Sequence, residues 1–249
     1  MEKFLARTKS FVRRGREVEG PLGRTFAKYG ADYVVSVRRG LGYTTVAEDH
    51  DLLDFAGLFE NEAPVTVEVG SGTGDQLVAA AARHPDRNFL AFEVWVPGLA
   101  KTVSKAHSLG LTNLRLIEAD VQQASCIIIP QGAVAEVWTF FPDPWRKSKH
   151  KKRRLIQEPF ALEVARMLEK GGIWRIATDW DDYAWGIRDV LDRAAPLKNL
   201  YRGLNPDARD PEGDRGGFAP RWEGRVMTAF EQKGLDAGRV VHDFAAQKL

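Results

Sequence analysis

The chain has a single cysteine, Cys126, in 249 residues. One thiol cannot close an internal disulfide, and the five histidines are scattered without the spacing of a metal site. The expectation is a reducing cytoplasm and no metal. Long apolar runs are missing as well: nothing approaches the roughly 18 residues of a membrane span. The opening MEKFLARTKSFVRRGR has no apolar core behind its charges, so neither a membrane partner nor a secretory leader is expected. There is little excess of either charge, since 36 Lys and Arg against 34 Asp and Glu leave +2, too small for the whole molecule to attract a polyanion. Internal repeats are absent, which excludes solenoids. What remains, 44% hydrophobic and 28% charged, suits a globular protein, and the length suits one large domain better than two.

After a polar, Arg-rich opening of about 45 residues, short β-branched or aromatic runs alternate with helical patterns. VTVEV (65–69), NFLAFE (88–93), NLRLIEA (113–119), VAEVWTFF (134–141) and GIWRIAT (172–178) read as buried strands. DQLVAAAARH, VPGLAKTVSKAHSLG, a weak segment near VQQAS, LIQEPFALEVARMLEKGG and DDYAWGIRDVLDRA read as the helices between them, with Gly110 and the Gly171–Gly172 pair as their stops. VVHDFAAQKL supplies a final strand. Such alternation predicts an α/β fold with a doubly wound, mostly parallel sheet, whose ligands bind at the carboxyl ends of its strands. The domain is placed at 48–249 and a basic extension at 1–47.

VEVGSGTGD puts Gly70, Gly72 and Gly74 between the first strand and the first helix. Glycine lets such a loop turn tightly and approach a ligand. Asp75 stands where a dinucleotide loop has its third glycine, which disfavours a nicotinamide-dependent oxidoreductase. Glu68, Glu93 and Asp120 close the first three strands. Three acids above one glycine loop describe a pocket for a positively charged nucleoside, and the arrangement resembles the class I S-adenosylmethionine-dependent methyltransferases. That resemblance implies S-adenosylmethionine as cofactor, with Glu68 near its methionine end, Glu93 on the ribose and Asp120 near the adenine, on a seven-stranded sheet.

The end of the fourth strand is unusual. In FPDPWRKSKHKKRR, Asp143 lies between two prolines, which should leave the segment extended and stiff. Seven of the nine residues from Arg146 to Arg154 are Lys or Arg. A basic strip at the mouth of a pocket suits phosphates, hence a nucleic-acid substrate. This stretch, with Thr178–Asp179 and TAFEQKG at 228–234, resembles the bacterial tRNA guanine-N7 methyltransferases, the TrmB family, over about residues 60–245. The family implies methylation of the variable-loop guanine at position 46 of tRNA and a catalytic and cofactor-binding part for Asp143. It also implies substrate contact by Lys147, Asp179, Thr228, Ala229, Phe230 and Glu231, and RNA contact along Lys149, His150, Lys151, Lys152, Arg153 and Arg154. The chain departs from the family at Arg146 and Ser71, where other residues are usual.

Guanine N7 carries its lone pair at neutral pH and needs no general base. The demand is electrostatic, met by acids that stabilise the charge appearing on the purine. Trp145 and Trp222 are candidate stacking surfaces for a splayed base. Arg7, Arg13, Arg14 and Arg16 form an arm expected to touch tRNA, and residues 203–225 read either as a flexible connection or as a lid. A catalytically inactive RNA-binding protein on the same fold is the rival of another class. Oligomeric state is not legible.

Overall fold

The computed structural model describes residues 9–11 and 15–249. Seven strands, β1 (Val65–Val69), β2 (Asn88–Glu93), β3 (Leu114–Glu118), β4 (Val134–Phe140), β5 (Leu168–Thr178), β6 (Leu197–Asn199) and β7 (His242–Lys248), form one sheet in the order β3-β2-β1-β4-β5-β7-β6. β1 to β5 run parallel, and β7 lies antiparallel between β5 and β6. All of β1 and β2 is buried, as befits strands covered on both faces. One face carries α1 (Gly20–Tyr33), α3 (Asp75–Arg83) and α4 (Val96–Ser108); the other carries α2 (Phe55–Phe59), α5 (Val121–Ile128), α6 (Glu158–Met167) and α7 (Asp181–Arg193). α8 (Ala229–Asp236) precedes the last strand.

The opening residues do more than the sequence suggested. Tyr33, at the end of α1, is buried in the cluster that holds Leu99 and Val103, while Val37 and Val46 are buried in the cluster on the opposite face. Between them Val35 donates its N–H to the Leu116 carbonyl (2.8 Å). Residues 33–46 thus wrap β3, the edge strand, whose unpaired groups would otherwise be open to another chain. Arg7, Arg13 and Arg14 lie outside the described residues. Arg16 is engaged with Glu118 (2.5 Å) and lies over the Tyr43 ring.

One boundary needs correction. Gly110, with φ +63°, follows α4 as expected, but Gly171–Gly172 does not end α6. That helix stops at Met167, and Leu168 is already in β5. Gly171 (φ +83°) sits where the β4–β5 register slips between Val134 and Glu136, so the pair accommodates a bulge. Residues 203–225 are tied down on the domain. The buried guanidinium of Arg188 reaches Asp210 and the Gly216 carbonyl, Asn205 donates to the Phe218 carbonyl (2.7 Å), and Phe218 is buried. Trp222 is half-buried, packs on Trp138 with ring centroids 5.1 Å apart and borders a cleft of about 240 Å³.

Candidate active site

The strand order reverses between β1 and β4, so the loops at their carboxyl ends face one crevice. Gly70, Gly72 and Gly74 in the first loop all have positive φ (+74°, +56° and +74°). A Cβ on Gly74 would come within 2.3 Å of Thr102 Oγ1, which forces glycine there, whereas Gly70 and Gly72 border open space. The Gly70 N–H donates to the Phe92 carbonyl (2.8 Å), which hangs the loop beside the end of β2.

Glu68 is buried and its Oε2 makes no hydrogen bond among the described residues. Burial first, then the neighbouring charges of Glu93 and Asp75, push its carboxyl up to about 8. Such a group calls for a cationic partner. The Glu93 carboxylate accepts N–H donors from Gly72 (2.6 Å), Val94 (2.7 Å) and Trp95 (2.8 Å), which locks the glycine loop to the end of β2. Asp120 caps α5 by accepting from the Gln122 N–H (3.2 Å), and its own N–H donates to the Thr44 carbonyl (2.7 Å). Asp75 works between helices: it accepts from Lys105 (2.5 Å) and from the Thr73 hydroxyl (2.6 Å). Burial raises its carboxyl, but these bonds and the charges of Lys105 and Lys101 outweigh that and hold it below the usual range.

The turn after β4 departs at Phe141 from the extended backbone expected from its prolines. Phe141 (φ +52°) and Trp145 (φ +45°) both occupy the left-handed region, so Pro142–Asp143–Pro144 is bracketed by two strained residues. The Phe141 N–H donates to the Ala177 carbonyl (2.8 Å), and Trp145 Nε1 donates to the Ser10 carbonyl (2.8 Å). Asp143 is half-buried and close enough to Tyr183 for its charge to help raise that phenol, which burial raises most.

The basic strip forms a 3₁₀ turn, Ser148–Arg153, with no buried residue. Lys147, Lys149 and Lys152 are exposed and make no ion pair among the described residues. Arg153 lies over the Trp145 ring (4.7 Å), and the His150 ring meets it edge-on at 5.9 Å. Desolvation first, then Arg153, Lys149, Lys147 and Lys152, lower the pKa of His150. Lys151 pairs with Asp182 (2.7 Å). Arg154, expected on RNA, is placed otherwise: it is buried, donates to the Pro144 carbonyl (2.9 Å), pairs with Asp182 (2.5 Å) and covers the Tyr183 ring. It belongs to the scaffold of the turn because its guanidinium has no surface left to offer.

A second cluster of charged residues is built around α8. Thr228 caps the helix by accepting the Glu231 N–H (3.2 Å), Ala229 is exposed, and the Phe230 ring lies 5.3 Å from Phe141, joining α8 to the Asp143 turn. Asp179 accepts from Arg239 (2.6 Å). Glu231 is buried between Arg221 and Arg225, and Arg225 also donates to Asp243 (3.0 Å). Burial pushes the Asp243 carboxyl up to about 6 despite the nearby Arg225. Arg221, Arg225 and Asp243 were not foreseen, nor was Gln76, which accepts from the Val226 N–H (2.7 Å) and donates to the Gly224 carbonyl (3.2 Å). Their only trace in the sequence is the density of charge just before TAFEQKG. Two clefts, of about 240 and 370 Å³, meet at Asp243 on this side. Among the described residues no acid, His and Cys cluster could hold a metal ion, and no helix is long and apolar enough to cross a membrane.

A seven-stranded sheet in this order, with a glycine loop after β1 and acids at the next strand ends, defines the class I methyltransferase fold. The 16S rRNA methyltransferase KamB shares it (TM-score 0.52, 16% identity, 82% of this chain and 98% of that one), as does the antibiotic-resistance methyltransferase Kmr (0.51, 16%, 86% and 98%). Residues 62–244 match the family model described as "Putative methyltransferase". The chain is 39% identical to the tRNA (guanine-N(7)-)-methyltransferase of Paenarthrobacter aurescens strain TC1, over 96% of its own length and 91% of that protein's. It is 36% identical to the enzyme of that name from Escherichia coli strain UTI89, over 98% and 93%. The chain belongs to the tRNA (guanine-N7-)-methyltransferase family.

Proposed function

We propose that the protein transfers the methyl group of S-adenosylmethionine to N7 of guanine in tRNA, at position 46 of the variable loop, and that it does so in the cytoplasm. The observation that carries this reading is the end of β4. One strained turn joins Asp143, at the end of the strand next to β1, to the exposed lysines that follow it and, through Phe141 and Phe230, to α8. Residues 48–249 carry the chemistry in this reading, and the basic opening at 1–47 adds contact with RNA.

The residues present suit the cofactor. Buried Glu68 has an unpartnered oxygen for a cationic group, Gly70 and Gly72 leave room above their backbone, and Glu93 and Asp120 stand at the next two strand ends. When bound, the cofactor supplies an electrophilic methyl on a sulfonium. The protein's part is to place N7 in line with it, and such positioning is worth roughly 7–11 kcal/mol of a barrier. Asp143, held by the strained turn, stabilises the positive charge that passes to the purine. Glu231 accepts the N1 and N2 hydrogens, which selects guanine over adenine, and Asp179 adds negative charge on the side of the base. Lys147, Lys149 and Lys152 grip phosphates without reading sequence. Bulk tRNA incubated with the protein and labelled cofactor, then mapped for modified nucleotides, should show N7-methylguanosine at position 46; label elsewhere, or none, refutes the proposal.

A further inference from the structure

Glu231 already holds a ligand of a telling shape. Arg221 donates Nε–H to Oε1 (3.0 Å) and Nη2–H to Oε2 (3.1 Å), two parallel bonds onto one carboxylate. Guanine offers the same pair of donors, N1–H and N2–H, on the edge by which a splayed base is read. An acid that accepts that edge leaves N7, on the opposite side of the purine, free to meet the methyl donor.

The two arginines on Glu231 are not equivalent. The Arg225 side chain is 1% exposed and reaches both Glu231 Oε1 and Asp243 Oδ2 at 3.0 Å. It lies against the Phe140 and Phe141 rings, and Gln76 of α3 grips the backbone on either side of it. The Arg221 side chain is 39% exposed and borders the cleft of about 240 Å³. One cation is built in, and the other has somewhere to go.

We propose that Arg221 is a displaceable plug in the guanine receptor, occupying Glu231 until the N1/N2 edge of the target base takes its place, while Arg225 holds the carboxylate throughout. The proposal rests on the reading of Glu231 as a guanine contact. A protein that must first expel its own side chain binds with an apparent affinity reduced by the fraction of molecules in the open state. Removing the plug raises that fraction.

The test is steady-state methylation of tRNA by the full chain carrying Arg221→Ala and, separately, Arg221→Gln, with S-adenosylhomocysteine affinity measured alongside. Both variants should lower the KM for tRNA about three- to tenfold, the scale of a partly exposed ion pair, and leave S-adenosylhomocysteine binding unchanged. A KM that stays level or rises in both variants overturns the plug, because Arg221 is then a bystander or itself a tRNA contact. If the unmodified chain makes no N7-methylguanosine, the underlying reading fails instead, and the two failures are told apart by that control.

Discussion

Glu68 joins burial to charge in one side chain. The sign of its pH effect follows from which state holds the proton. Unfolded, the carboxyl releases it near 4.5; folded, only near 8, so between those values the folded chain binds more protons and loses stability as pH rises. Glu68→Gln should abolish that decline, with the variant's advantage in calorimetric melting small at pH 5 and full above pH 8. The same substitution should weaken S-adenosylhomocysteine binding on the order of tenfold, and proton release on binding at pH 7, seen in wild type by titration in buffers of different ionisation heat, should vanish. For Asp143→Asn we expect native circular dichroism and a turnover lower by about 10²-fold or more; near-normal turnover would remove Asp143 from the chemistry. The acids at strand ends were legible because each follows an apolar run of strand length. The partners of Glu231 were not, since Arg221 and Arg225 sit in a stretch of Gly, Pro and charge with no period to read.

Among the elements, the 3₁₀ turn at 148–153 separates two kinds of cation that look alike in sequence. Replacing Lys147, Lys149 and Lys152 with Ala should leave melting unchanged and flatten the salt dependence of tRNA binding, by up to about 0.9 in log–log slope for each phosphate the variant no longer neutralises. An unchanged slope would place those lysines in empty water. Arg154→Ala should act the other way, costing about 1–3 kcal/mol in denaturant titrations, because the Pro144 carbonyl and Asp182 lose their shared donor. KKRR gives no hint of this difference; burial decides it. Prolines misled in a related way. They restrict their neighbours, but the hydrogen bond from Phe141 to Ala177 and the packing of Phe141 on Phe230 outweigh the extended preference and hold left-handed backbone instead.

At the scale of the molecule, the alternation of strands and helices was readable from residue 65 onward, and six strands fall within a few residues of their expected ends. β6 escaped because three residues make no pattern, and α1 because GPLGRTFAKYGADY carries glycine at 20, 23 and 30, which weakens a helical reading. Yet α1 ends in Tyr33, whose burial anchors the wrap around β3. Tyr33→Ala should therefore cost about 3 kcal/mol or more in urea unfolding, which would be surprising for a loose appendage.

β7 enters the sheet last in sequence but sits between β5 and β6, and it brings Asp243 beneath Arg225. On the ribosome, the glycine loop emerges some 170 residues before His242 does. Chains halted short of β7 therefore carry the glycine loop and the Asp143 turn but lack Asp243, the buried partner of Arg225. Competence arrives only with the closing strand, so a stalled nascent chain would leave passing tRNA unmarked.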